Sequence, residues 1–136
     1  MPRTTQHMQN ITDQQIKRLL RTAKSAEGLI EILPERFPKA KIFIIRGKDN
    51  FTRDEDSSYT LGMHFNYIEA QKTVEQIKPN GSPNLRDTYV IVEGTVEQLR
   101  RGEVVDSFNV KNLDHFDEEL AYTYLYERLT TRKRKK

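Results

Sequence analysis

Thr88-Tyr-Val-Ile-Val-Glu-Gly-Thr-Val-Glu-Gln-Leu-Arg-Arg-Gly-Glu-Val-Val-Asp-Ser-Phe-Asn-Val110 holds the densest β-branched and aromatic runs of the chain. Tyr89 to Val92 sets four apolar residues in succession, the pattern of a strand covered on both faces. Val104, Val105, Phe108 and Val110 read as a second strand. Between the two, Thr95-Val-Glu-Gln98 fits a capping box, in which the Thr hydroxyl and the Gln side chain satisfy orphan amides of a helical turn. Gly102 can then take a positive φ and end that turn. The unit is strand, one or two helical turns, strand.

Working back from it, Pro79-Asn-Gly-Ser-Pro83 breaks the chain before the first strand. Residues 67 to 78 admit two readings. Tyr67, Ala70, Val74 and Ile77 have helical spacing, whereas Ile68, Ala70 and Val74 could continue a strand. An internal echo favours a helical turn starting at Thr73, because Thr73-Val-Glu-Gln-Ile-Lys78 returns as Thr95-Val-Glu-Gln-Leu-Arg100 22 positions later. Upstream, Tyr59, Leu61, Met63, Phe65 and Tyr67 alternate with polar residues or glycine, which reads as a half-buried strand. Lys41-Ile-Phe-Ile-Ile-Arg46 is its expected partner across the polar loop from Gly47 to Ser58.

The first helix has clear start signals. Thr12 is the N-cap, Gln15 completes a capping box, and Ile11 with Ile16 forms a hydrophobic staple. Ile16, Leu19, Leu20, Ala23, Ile30 and Leu33 follow helical spacing, with Gly28 a local weakness and Pro34 forcing the end near residue 33. At the other end, Asn112 or Asp114 caps a last helix with the apolar stripe Phe116, Leu120, Ala121, Tyr124, Leu125 and Leu129. Its acidic start and basic finish complement the helix dipole. The expected fold is α+β: an antiparallel sheet of about four strands, an N-terminal and a C-terminal helix packed on it, and short helical turns between strands. Residues 1–10 read as a flexible N-terminus, 11–131 as a single domain and 132–136 as a basic tail.

A chain of 136 residues fits one domain, and having no cysteine it forms no disulfide and no thiolate metal site. No apolar run approaches the ~20 residues needed to cross a bilayer, and the polar N-terminus lacks the apolar core of a signal peptide. The sequence thus reads as soluble and intracellular, cytoplasmic or, in a eukaryote, nuclear. Charge is unevenly placed. The chain has 23 Lys and Arg against 20 Asp and Glu, and Arg132-Lys-Arg-Lys-Lys136 supplies five of the cations. Without those five the balance is 18 against 20, so the body is close to neutral. A broad basic face for duplex binding is not indicated.

The five-cation run suits a phosphate backbone or nuclear targeting. Tyr122 and Tyr126 stand four apart beside the expected stripe of the last helix, with Arg128 following. Rings near cations stack bases, each stack being worth ~1–3 kcal/mol. In the competing reading both rings close the core edge with their hydroxyls in water. The nucleic-acid-binding set is therefore Arg128, Arg132, Lys133, Arg134, Lys135, Lys136, Tyr122 and Tyr126.

Other chemistry is weakly signalled. Asp54-Glu-Asp56 lacks the ligand alternation of a calcium loop. Asp87 and Glu93 flank a strand as nuclease acids do, without the lysine beside the second acid. His7, His64 and His115 are scattered, and no serine sits in a nucleophile elbow. Helix, strands and a basic-ended helix is also the order of double-stranded-RNA-binding domains, but Asp114, Asp117, Glu118 and Glu119 would repel phosphates at the start of the last helix. No catalytic residue, metal site or cofactor is expected.

Together these features describe a small non-catalytic interaction module of a nucleoprotein or regulatory assembly. Its body would contact protein, and its basic tail would contact nucleic acid nonspecifically. The alternative is a purely protein-binding adaptor or regulator, homodimeric in one form, because open strand edges and apolar surface invite partners. A third reading is a small-ligand-binding or catalytic domain, marked by a sheet–helix cleft lined by His64, Glu93 or the tyrosines.

Overall fold

The computed structural model describes residues 11–49, 58–80, 87–108, 111–112 and 118–134. Its centre is the strand Lys41–Asp49 (β1), in which Ile42, Phe43, Ile44 and Ile45 are all buried. Successive strand residues point to opposite faces, so four buried neighbours require cover on both sides. Ser58–His64 (β2) and Asp87–Thr95 (β3) pair antiparallel with β1 on either flank, in the order β2-β1-β3. Ile42 and Ile44 join a large apolar cluster with helices Asp13–Ala23 (α1), Ala26–Arg36 (α2) and Glu118–Arg134 (α5). Phe43 and Ile45 meet Ala70 and Val74 of Tyr67–Asn80 (α3) on the other face. Leu29 and Leu33, each wholly buried in α2, contribute roughly 1.5–3 kcal/mol apiece.

The α+β class and the helix-covered antiparallel sheet stand as read from the sequence. The placement of the central unit does not. Thr95 and Gln98 form the expected capping box at the start of Val96–Arg100 (α4), and Gly102 has φ 70°. The second strand, however, shrinks to Val105–Asp106 (β4), which pairs with Lys111–Asn112 (β5) outside the main sheet. The amides of Val96 and Glu97 donate to the Ala40 and Pro38 carbonyls at 3.0 and 2.8 Å. Val104 then lies on Gly94, where an added Cβ would come 2.6 Å from its Cγ2, so the chain passes beneath the sheet rather than extending it. β3 is consequently an edge strand in its pairing, with Val92 buried and Tyr89, Val90 and Ile91 half-buried; Val90 and Val92 pack on the three-helix face and Ile91 on the α3 face, so both faces meet the core.

The expected first helix is two helices. Lys24 takes φ 67° after α1, and Ser25 caps α2 by accepting from the Gly28 amide at 3.1 Å. Gly28 is no weakness but a close approach: an added Cβ would lie 2.1 Å from the Ala23 carbonyl oxygen. α2 runs past Pro34 to Arg36. The Ile30 carbonyl, lacking the amide that proline cannot supply, accepts instead from Arg100 Nη2 at 2.7 Å.

Residues 67–80 are helical, which settles the ambiguous stretch, but the echo at Thr73 does not mark a helix start. Asn66 caps α3, its Oδ1 accepting from the Ile68 amide at 2.7 Å and the Glu69 amide at 3.3 Å. The alternation of β2 is interrupted by a bulge: Ile45 faces Gly62 and Arg46 faces Thr60, so Leu61 is the extra residue. Met63 therefore joins the three-helix face, Leu61 joins the α3 face, and the strand stops at His64 before Phe65 and Tyr67.

Arg46 and Asp106 form a buried ion pair at 2.8 Å. Arg46 also donates to Thr60 at 2.6 Å and Ser58 at 3.0 Å, while Asp106 accepts from the Phe108 amide at 2.9 Å. This network ties β4 beneath the sheet. The expectations for residues 1–10, for Asp54-Glu-Asp56 and for a cap at Asp114 lie outside the described residues.

Candidate functional site

Where β2 ends, the chain must turn from strand into α3, and Asn66 makes that turn by capping the helix. Capping fixes Glu69 and Thr73 one turn apart on the same side of α3. Thr73 Oγ1 lies 3.1 Å from both the Glu69 carbonyl and His64 Nε2. The carbonyl can only accept, so the Thr73 hydroxyl gives its hydrogen there and accepts from His64 Nε2–H. The imidazole lone pair is then on Nδ1.

From the opposite side α5 brings Arg128, whose Nη2 donates to Glu69 Oε1 at 2.7 Å. Together with Asp13 and Ile16 of α1 and Leu125 and Leu129 of α5, these residues line a cleft of about 310 Å³ at the end of the edge strand. His64 is buried, and its pKa is lowered to about 4 by burial first and by the Arg128 charge second, against the opposing pull of Glu69. At neutral pH the imidazole is uncharged. The cleft then offers a neutral hydrogen-bonding ring, the Asn66 amide, a closed Arg128–Glu69 ion pair and the Asp13 carboxylate above an apolar floor. The Thr73 hydroxyl beside the ring gives its hydrogen to the Glu69 carbonyl, not to the imidazole.

Of the residues named from the sequence for nucleic acid, Tyr122, Tyr126 and Arg128 are engaged within the fold. Tyr122 is wholly buried in the core, so its ring has no face to offer a base. Its hydroxyl lies beside the Arg100–Glu118 ion pair, and burial, with the Glu118 charge, pushes the phenol up. Tyr126 is half-buried, and its hydroxyl donates to the Lys24 carbonyl at 2.8 Å, clasping the turn between α1 and α2. Helical spacing misplaced Tyr122 because the buried stripe of α5 is Ala121, Tyr122, Leu125 and Leu129, while Leu120 is turned outward; Tyr126 stands beside that stripe, on the core edge. Arg128 is committed to Glu69. Arg132, Lys133 and Arg134 continue α5 rather than starting a free tail, and Lys135 and Lys136 lie outside the described residues.

Asp87 and Glu93 stand at opposite ends of β3, roughly 20 Å apart along an extended chain; Glu93 pairs with Lys41 at 3.3 Å. Among the described residues no three His, Asp or Glu side chains are grouped to hold a metal ion, and no helix is long and apolar enough to cross a membrane. Sequence reasoning missed Glu69 and Thr73 as partners of His64. The signal was present in Asn66-Tyr-Ile-Glu69, an Asn and a Glu at capping-box spacing. Compared with protein-family models, curated proteins and solved structures, the chain matches none.

Proposed function

We propose that this protein is a small non-catalytic binding module whose folded body contacts a protein and whose cationic C-terminal end contacts nucleic acid without sequence preference. The observation that supports this reading is the continuity of α5. Ala121, Tyr122, Leu125 and Leu129 root the helix in the core, and residues 132–134 extend the same helix. A run of five cations therefore begins on an ordered element, attached to a body whose own charges nearly cancel. With Arg128, Tyr122 and Tyr126 engaged internally, the contact contracts to residues 132–136. Five phosphate contacts give a log–log salt slope of roughly −4 to −5 on duplex DNA. Anisotropy of a labelled duplex over a salt series, with the full chain and with a variant carrying glutamine at positions 132–136, tests the reading. Equal binding by the two proteins overturns it.

A second reading, small-ligand binding, has the His64 cleft in its favour: a buried, perturbed imidazole and a concave polar site coincide there. A fragment screen followed by amide resonances tests it. Shifts clustered at residues 64–69 and 125–129 support it, and their absence across the screen removes it.

A further inference from the structure

The two edges of the sheet are treated differently. β2 is kinked by its bulge, and α5 packs along it. β3 keeps an unbroken register with β1 over nine pairs, from Lys41 opposite Thr95 to Asp49 opposite Asp87. It carries no proline, no lysine and no bulge, the devices that usually blunt an exposed edge. Its middle, Tyr89-Val-Ile-Val92, is β-prone and half-buried apart from Val92, and among the described strands it pairs with β1 alone.

We propose that β3 pairs with β3 of a second copy, antiparallel and centred on Ile91, to make one six-stranded sheet. This rests on the part of the proposed function that gives the body a protein partner, and it names that partner. The argument for self-pairing is complementarity. The Thr95 amide already donates to Gln98 Oε1 at 2.9 Å, so the pairing runs over Tyr89 to Glu93, the middle of the strand, and a two-fold axis through that stretch is centred on Ile91. In that register Val90 meets Val92, Ile91 meets Ile91 and Tyr89 meets Glu93. The strand's two acids, Asp87 and Glu93, then never face an acid. A slip of the centre to Val90 would set Asp87 against Glu93, and like charges directly opposite are unfavourable. The assembly also closes. Its outer edges are the two β2 strands, already bulged and lined by α5, so growth stops at two copies.

Sedimentation equilibrium of the full chain, up to about 100 µM so that a micromolar interface is filled, is the test. The mass is expected to rise from 16.0 kDa to twice that value. Ile91→Lys, which sets two cations face to face on the axis, should weaken dimerisation at least about tenfold, whereas Ile91→Thr should keep it. If Ile91→Lys fails to melt cooperatively, hydrogen exchange of the wild type decides: alternate amides of β3 should slow with rising concentration. A strict monomer, a dimer indifferent to Ile91→Lys in a folded variant, or β3 amides insensitive to concentration each overturns the pairing. A monomer that still binds duplex removes the β3 pair and leaves the α5 contact standing. A dimer indifferent to glutamine at 132–136 in duplex binding does the reverse.

Discussion

Replacing His64 with glutamine removes the one histidine among the described residues, and with it a defined acid sensitivity. The ring is 5 % exposed and faces Arg128 from α5, Glu69 and Thr73 from α3, and Asp13 of α1 across the cleft. In the fold its pKa falls from 6.5 to about 4. Between those values the unfolded chain takes up a proton at His64 that the folded chain refuses. Stability is thus fully present above pH 6.5 and drains as pH falls toward 4. At about 1.4 kcal/mol for each pH unit of that window, the loss is about 3 kcal/mol by pH 4. Urea melts of wild type and His64→Gln at half-unit steps from pH 4 to 7.5 measure it. Carboxylates titrate in both proteins, so the difference isolates the imidazole. The wild type should lose about 3 kcal/mol more than the variant across the window. Parallel curves, within about 0.5 kcal/mol of constant separation, would refute the placement of His64 as a neutral buried ring.

Three further substitutions probe the scaffold. Asp106→Ala leaves Arg46 without its buried carboxylate partner and should cost about 3–5 kcal/mol in urea unfolding. Gly28→Ala, normally a gain within a helix, should instead lower stability by about 2 kcal/mol or more, because the new methyl meets the Ala23 carbonyl; a raised melting temperature would contradict the geometry. Tyr126→Phe should cost about 1 kcal/mol through the lost bond to Lys24, with duplex binding unchanged by anisotropy.

The local signals that proved reliable are those in which one residue satisfies its neighbours' amides. Thr12 with Gln15, and Thr95 with Gln98, form the boxes read from the sequence, since both partners lie within one turn. What escaped depends on distant chain. Nothing near Lys24 marks it as left-handed, and its carbonyl is met by the Tyr126 hydroxyl, 102 residues on. The parity of β2 depends on a bulge opposite Arg46, whose guanidinium is fixed by Asp106. The run from Val104 to Val110 has strand composition, yet Asp106 in its middle is required under the sheet as a counter-ion. Of the lining expected for a sheet–helix cleft, His64 is in place, while Glu93 and the tyrosines are not. His64, Glu69 and Arg128 are brought together only once α3 and α5 pack at the end of β2.

The carbonyl of Ile30 joins two distant stretches of the chain. Its acceptor site is vacated by Pro34 and filled by Arg100, 70 residues later in the chain. Until Arg100 is in place, water is the donor open to that exposed carbonyl. A proline that weakens its own helix locally thereby makes that helix answer to the second half of the molecule.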